Sequence, residues 1–433
     1  MNGYQWMVLF AAWLGWGLDV FDGVLFNFVA PTCVPTLLGI PLGTPEAKSA
    51  SLTWIGILTS LLLVGWGVGG IVFGRLCDQI GRARTLLITM TLYAGGTALC
   101  AVAPNIWVLI LCRAVASLGI GGEWAAGAAM VAEVVPEKRR IEAGALLAAA
   151  SPVGLFFATF VTYQIQGVFL KDQPSVAWRY VFLAGLIPVV AAIALRRFLK
   201  EPDTWRALGG RVRPSLMELF GAKYRAVTLG GFGLSLVAVL TWWCVNAFIP
   251  TVAAGLATKW GTANHLTPTA LRYLGEQWKS LASTRFNVGG LVGILLAIPM
   301  AKRFARRVLF FLYFGVAGIS ILTTFGLDLT PPERLWGYFF IGLSVQGVFA
   351  CFTFFLPELF PARLRGTGSG FCYNAGRFVA AIGPFVVGSV AAMGANAEDA
   401  AVRVLCWVGI VPLAGLLILP FVVETRNRRL ADI

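Results

Sequence analysis

Long apolar runs alternate with short polar segments along the whole chain. A membrane-spanning helix needs about 20 mainly apolar residues. Read with that window, the chain has spans near 8–30, 53–73, 85–103, 107–134, 143–168, 179–198, 226–256, 278–300, 308–327, 335–357, 367–392 and 402–423. Pro31 and Pro250 close the long runs before the polar loops, where proline fits a helix end or kink. A charge-rich segment, 199–225, contains Pro202 and Pro214 and parts six spans from six. This predicts an all-α membrane protein of twelve transmembrane helices in two six-helix bundles: 1–198, a cytoplasmic linker 199–225, and 226–433 ending in a short cytoplasmic tail.

Composition agrees. Hydrophobic residues make up 58% and charged residues 12%, about half the soluble share of charge. The bilayer removes the need for a polar surface. The first apolar run, Met7–Ala30, lacks a basic leader and exceeds a signal core, so it reads as a span. The net charge of +14 comes from lysines and arginines between the spans. With the N-terminus inside, 23 fall on inner segments and 8 on outer ones. That bias places both termini in the cytoplasm and the chain in the plasma (inner) membrane, and removes any need for a nucleic-acid partner. The eight scattered cysteines form no C-x-x-C pair, and His265 is the single histidine. Apolar filling and a solvated loop are the expected roles, with no metal or other cofactor.

Three arginines, Arg113, Arg285 and Arg377, fall inside spans, where a cation is expensive and faces a partner or a wet cavity. Asp19 and Asp22 of the first span share one helix face. Two carboxylates on one intramembrane face do not both ionise readily, which suits loading and unloading a proton. Arg113 is their nearest basic candidate; a purely structural Asp–Arg pair is the alternative reading. Arg377 lies near mid-membrane beside Tyr373 and Asn374, a carboxylate-binding constellation or else a counter-ion for an acid of the other half. Arg285 reads as an outer-side cation or a snorkelling one. Gln164 with Tyr163, Trp242, Asn246 and Gln346 are further cavity candidates.

The fourth and tenth spans both exit through E-x-x-P-x-[KR]-x-R, from Glu133 to Arg140 and from Glu358 to Arg365, an offset of 225 residues. This weak repeat makes the two bundles pseudo-symmetric. The loop Gly74-Arg75-Leu76-Cys77-Asp78-Gln79-Ile80-Gly81-Arg82 follows the second span. It resembles the signature loop G-x-x-x-D-x-x-G-R of the major facilitator superfamily. Its glycines allow tight turns, and Asp78 can pair with an arginine or a helix N-terminus. Gly74, Asp78, Gly81 and Arg82, with Glu133, Glu358 and Arg365, are candidates for a conformational latch. The matching second-half loop, Ala301–Arg307, keeps the basic residues without the aspartate and glycine, so a weaker or different latch is expected there.

The string from Arg113 through Gly119-Ile120-Gly121-Gly122-Glu123-Trp124 resembles the metabolite–proton symporters of that superfamily, the aromatic-acid, sialate and carboxylate branch. A structural role for the three glycines is the default, since small residues let membrane helices approach. The Asp19-Val20-Phe21-Asp22 stretch is similar to the D-G-x-D motif of aromatic-acid symporters, with Val20 in place of glycine. Organic-anion transporters of the superfamily are similar in carrying a basic residue where Arg377 stands. The resemblance implies a central site and rocking bundles. The expectation is a monomer in the lipid bilayer that couples protons to uptake of a small organic anion. Arg377 would bind the anion, and Asp22 with Asp19 and Arg113 would carry the proton. The alternatives are a facilitator or exporter of a neutral solute such as a sugar, or of a drug. A membrane-embedded enzyme or receptor finds no catalytic pair, metal cluster or nucleotide loop to support it.

Overall fold

The computed structural model describes residues 1–188, 190, 194, 200–201, 215–360, 364–393 and 397–426. The side chains of Asp78, Glu133 and Arg365 lie outside the described residues, as does most of the 199–225 linker.

The described residues form helices and no strand. In the first half, α1 is Gly3–Leu38, α2 Pro45–Ile80, α3 Arg82–Cys100 and α4 Ile106–Val134. Helix α5 runs through Arg140–Ala148 and Ala150–Thr162 into a π-helical end, Tyr163–Phe169, and α6 starts as Pro174–Leu183. In the second half, α7 is Arg225–Asn246 continued by Ile249–Ala263, α8 is Pro268–Arg303 and α9 is Arg306–Gly326. Helix α10 is Pro331–Val345 continued by Gly347–Glu358, α11 is Arg365–Ala380 continued by Ile382–Met393, and α12 begins as Ala397–Val408 and continues as Ile410–Gly415.

Each of the twelve expected spans has a helix among the described residues, and several outrun their apolar windows. Helices α1, α2 and α8 each have 36 residues, about 54 Å at helical rise, well beyond a ~30 Å hydrocarbon core. The polar extensions are helical because they are capped. The Thr44 and Thr267 side chains accept from the Ala47 and Ala270 amides, and Thr330 forms a capping box with Glu333, each directly before a proline. Pro31 ends nothing: α1 runs through Pro31 and Pro35 to a left-handed cap at Gly39. Bilayer helices tolerate proline, and in this stretch the Thr32 and Thr36 hydroxyls donate to the carbonyls of Val29 and Thr32. Pro250 behaves as expected, opening the second segment of α7 after a break.

The halves repeat in their packing. A Cβ on Gly69 of α2 would meet the Leu118 carbonyl of α4; a Cβ on Gly293 of α8 would meet the Leu343 carbonyl of α10. Each bundle thus seats two backbones against each other at matching heights, where van der Waals packing drives association. The bundles meet along α2–α11 and α5–α8. Gly56 and Gly388 touch at one end of the first seam, and the Ser60 hydroxyl donates to the Ala381 carbonyl. At the opposite end, Lys302 of α8 donates to Glu142 of α5 at 2.7 Å, and Thr353 of α10 covers Gly144.

Candidate functional site

A small cavity lies between the halves. Trp16, Val20, Gly23 and Val24 of α1, Trp66 of α2 and Ser151 of α5 face Trp242, Trp243, Gln346, Phe349, Tyr373 and Arg377 from the second half. The space open to water-sized molecules is about 40 Å³. That holds a few waters, so a larger solute requires the seams to move.

Arg377 dominates the wall. It stands in the last turn before the α11 break, where the helix dipole favours a cation. It is 3% exposed, and one terminal nitrogen donates to the Tyr373 carbonyl (2.9 Å) and to Asn374 Oδ1 (3.1 Å). Its guanidinium carbon sits 4.3 Å above the Trp66 ring and 4.6 Å from the Tyr373 ring. Nε finds no partner among the described residues. The cation is held by stacking, with donor capacity to spare.

Asp19 is fully buried, and neither carboxylate oxygen accepts a hydrogen bond from the described residues. It interacts electrostatically with Arg377 of the other half, with Asp22 and with Glu123. Asp22 is also fully buried, 4.0 Å from Arg113 Nη1. Arg113 is mainly engaged elsewhere: it donates to the backbone carbonyls of Asp22 (3.3 Å) and Gly23 (2.9 Å) and to Thr97 Oγ1 (3.1 Å). Thus Arg113 clamps the middle of α1 and meets the Asp22 carboxylate only at the limit of an ion pair.

Other candidates divide. Tyr373, Trp242 and Gln346 line the cavity. Gln346 occupies the break in α10, its amide donating to the Phe286 carbonyl and Asn287 Oδ1, both at 3.4 Å. Asn374 orients Arg377 and packs against Gly70. Asn246 is buried beside the α7 break but is not on the cavity wall. Gln164 and Tyr163 fall on the half-buried π-helical end of α5; there the buried side chain is Gln166, whose amide donates to Thr32. Arg285 stands away from the cavity, 3.8 Å over the Trp336 ring.

The loops carry helix caps. Gly81 sits at φ 110°, and a Cβ there would strike the Glu201 carboxylate. Glu201 accepts from the amides of Arg82 (2.7 Å), Ala83 (3.3 Å) and Arg84 (3.1 Å), capping α3. Arg82 donates to the Cys77 carbonyl at 3.2 Å, while Gly74 lies on the last turns of α2. The second half repeats this. Glu424 accepts from the Arg306 and Arg307 amides, and Arg306 donates to the Ala301 carbonyl. Burial pushes the Glu424 carboxyl up, but the amides of Arg306, Arg426, Arg307 and Thr425 outweigh it and hold the group below the usual carboxylate range. The arrangement differs from the first-half loop, as expected of a weaker or different latch: Arg306 makes a two-pronged ion pair with Glu358, at 3.0 and 3.2 Å, and Thr425 donates to the same carboxylate. Arginine geometry replaces the missing aspartate.

Sequence reading missed Glu201 and Glu424, which carry no local motif, and Glu123, which sat in a quoted string as a neighbour of the glycines. Glu123 is 1% exposed, takes one hydrogen bond from Thr89 at 3.2 Å, and turns its other oxygen toward Gly15 of α1.

The profile of the Major Facilitator Superfamily matches residues 6–384. The chain is 29% identical to a probable 4-methylmuconolactone transporter of Cupriavidus pinatubonensis, over 87% of this chain and 82% of that protein. It is also 29% identical to a cis,cis-muconate transport protein of Acinetobacter baylyi, over 83% and 84% of the two chains. The crystal structure of a D-xylose-proton symporter superposes with a TM-score of 0.72 at 17% identity, covering 98% of this chain and 99% of that one. Two packed helical bundles, a cavity between them and a family match spanning both lead to one assignment: the chain belongs to the Major Facilitator Superfamily, a membrane transporter rather than an enzyme.

Proposed function

We propose that the protein is a proton-coupled symporter of a small organic anion, a planar or aromatic carboxylate, working by alternating access in the inner membrane. The observation that carries this is Arg377: a buried, stacked guanidinium with an unpartnered Nε on the wall of the central cavity. A carboxylate can take that donor by a charge-assisted hydrogen bond. The walls support a flat ligand. Trp16, Trp66, Trp242, Trp243, Phe349 and Tyr373 surround the cation, and Trp242 and Trp243 meet edge to face at 4.6 Å. Relatives named for muconate and methylmuconolactone agree with such a ligand. The buried carboxylates of Asp19 and Asp22 supply proton carriers. Taking up a proton at Asp22 loosens its hold near Arg113, while the anion competes with Asp19 for Arg377. Each ligand therefore alters the balance between conformations, as coupling requires. The basic inner segments support both termini on the cytoplasmic side, and the carrier works as a monomer.

The test uses proteoliposomes and labelled benzoate or muconate. The wild type is expected to accumulate substrate uphill when an inward proton gradient is imposed and to acidify the lumen as it does so. Asp22→Asn, which mimics the protonated acid and cannot release a proton, is expected to keep counterflow and lose accumulation. Wild-type uptake without proton movement would rule out symport; accumulation by the variant would move the proton to another group.

A further inference from the structure

The seam between α1 and α4 holds more acid than the two aspartates require. The helices run antiparallel, so Arg113 faces Asp22 while Glu123 faces Gly15. Ten residues of α4, about 15 Å, separate the two levels, and Asp19 lies between them on α1. Three carboxylates, Asp19, Asp22 and Glu123, are each at most 1% exposed. The buried cations beside them, among the described residues, are Arg113 and Arg377. The set is one positive charge short, and an unpaired charge in this environment is costly.

Glu123 is the member on which neither cation acts, whereas Arg377 acts on Asp19 and Arg113 on Asp22. Helix α3 offers Thr89, which donates to one oxygen, and Tyr93, whose buried hydroxyl has no partner among the described residues. Helix α1 offers Asp19 and bare Gly15. The described α2 side chains at this level, Trp66 and Phe73, do not ionise. The second oxygen of Glu123 is buried without a partner and turned toward α1. Asp19 and Tyr93 both feel its charge.

We propose that Glu123 is a third proton-carrying group, the inner member of a ladder Asp22–Asp19–Glu123 that conducts the coupling proton along the α1–α4 seam, outside the substrate cavity. This rests on the symport reading. Asp19 joins the two pathways, because it interacts electrostatically with Arg377 as well as with Glu123, whose carboxylate lies against Gly15, one turn away on α1. When an anion occupies Arg377, Asp19 loses its cation and takes the proton. When the anion leaves, Arg377 returns to Asp19, and the proton moves from the Asp19 carboxyl to the Glu123 carboxylate. One O–H bond breaks, one forms, and the net charge of the set is unchanged until Glu123 releases the proton to the cytoplasmic side. Glu123 is not on the cavity wall, and its carboxylate fills the space that a side chain at Gly15 would take.

The experiment compares wild type, Glu123→Gln, Glu123→Asp and Thr89→Val in proteoliposomes, measuring muconate or benzoate accumulation, counterflow and their dependence on lumenal pH. Glu123→Gln is expected to retain counterflow and lower the accumulation ratio roughly tenfold or more, within the range of site–site coupling. Glu123→Asp is expected to restore accumulation. Thr89→Val removes a donor to the charged form, so its pH profile for accumulation is expected to move to higher pH. Accumulation by Glu123→Gln equal to wild type would overturn the proposal, as would an unmoved profile in Thr89→Val or equal loss of counterflow and accumulation in both Glu123 variants. If the wild type moves no proton with substrate, the symport reading itself fails, and that outcome is read separately from any variant.

Discussion

Arg113 and Arg377 are both buried guanidinium groups, yet their neighbours give them different work. Arg113 spends its donors on α1 carbonyls and Thr97, which fixes one helix against another. Arg377 is held by two contacts within its own helix and by two ring faces, which leaves Nε aimed at no protein acceptor. Arg377→Ala is therefore expected to weaken anion binding by about 2–5 kcal/mol, thirtyfold or more, while the protein still folds. Arg377→Lys should be intermediate, because it keeps the charge and loses the planar stack. Binding measured by calorimetry in detergent checks both, and unchanged affinity in the alanine variant would remove Arg377 from the site.

At the level of elements, α4 shows how one short string serves several neighbours. Gly119 abuts Thr89 and Tyr93 of α3; Gly121 abuts Trp66 and Gly70 of α2; Gly122 lies between Phe73 and Thr89; Glu123 then faces α1. Successive residues point about 100° apart, so four positions address the surrounding helices in turn. A methyl group on Gly121 would strike α2 backbone atoms. Gly121→Ala is expected to destabilise the protein by about 1–3 kcal/mol through overpacking. Gly95→Ala, where nothing lies within 4 Å, is the matched control and should be neutral. Thermal unfolding in detergent distinguishes them, and an unaffected Gly121→Ala would show that α2 and α4 can separate without cost.

At the scale of the molecule, the described residues tie each half internally and tie the halves together only lightly on the face that carries Glu142 and Lys302. The Arg306–Glu358 pair stays within the second half and is nearly buried, with side-chain exposures of 5% and 14%. The Lys302–Glu142 pair crosses between halves, with Lys302 at 55% and Glu142 at 25% exposure. An exposed pair contributes roughly 0–1 kcal/mol. Glu142→Gln is therefore expected to shift the molecule toward opening on the Glu142 face by at most about fivefold, without loss of thermal stability. Alkylation of a single cysteine placed at cavity residue Ser151, from that face, reads the shift. No increase in labelling would mean that the α5–α10 contact at Gly144 and Thr353 alone holds that side shut.

Much of this was legible in the sequence because the bilayer imposes it. Twelve apolar runs dictate twelve helices, since no other open structure satisfies its backbone in lipid. The scarcity of charge inside the spans made Asp19, Asp22, Arg113 and Arg377 conspicuous. What hydropathy could not decide was direction. Arg285 and Arg377 look alike as buried cations in a string; helix rotation stacks one on Trp336 and turns the other to the cavity. Gln164 and Gln166 are two residues apart, and the π-helical turn decides which is buried. Glu123 was hidden by its glycines, and Glu201 and Glu424 by their distance along the chain from the helix ends they cap. Local pattern thus determined which segments enter the membrane and which carry charge. Only the packing of helices far apart in sequence decided which charges meet, because partners in a polytopic bundle are set by rotation and height rather than by spacing.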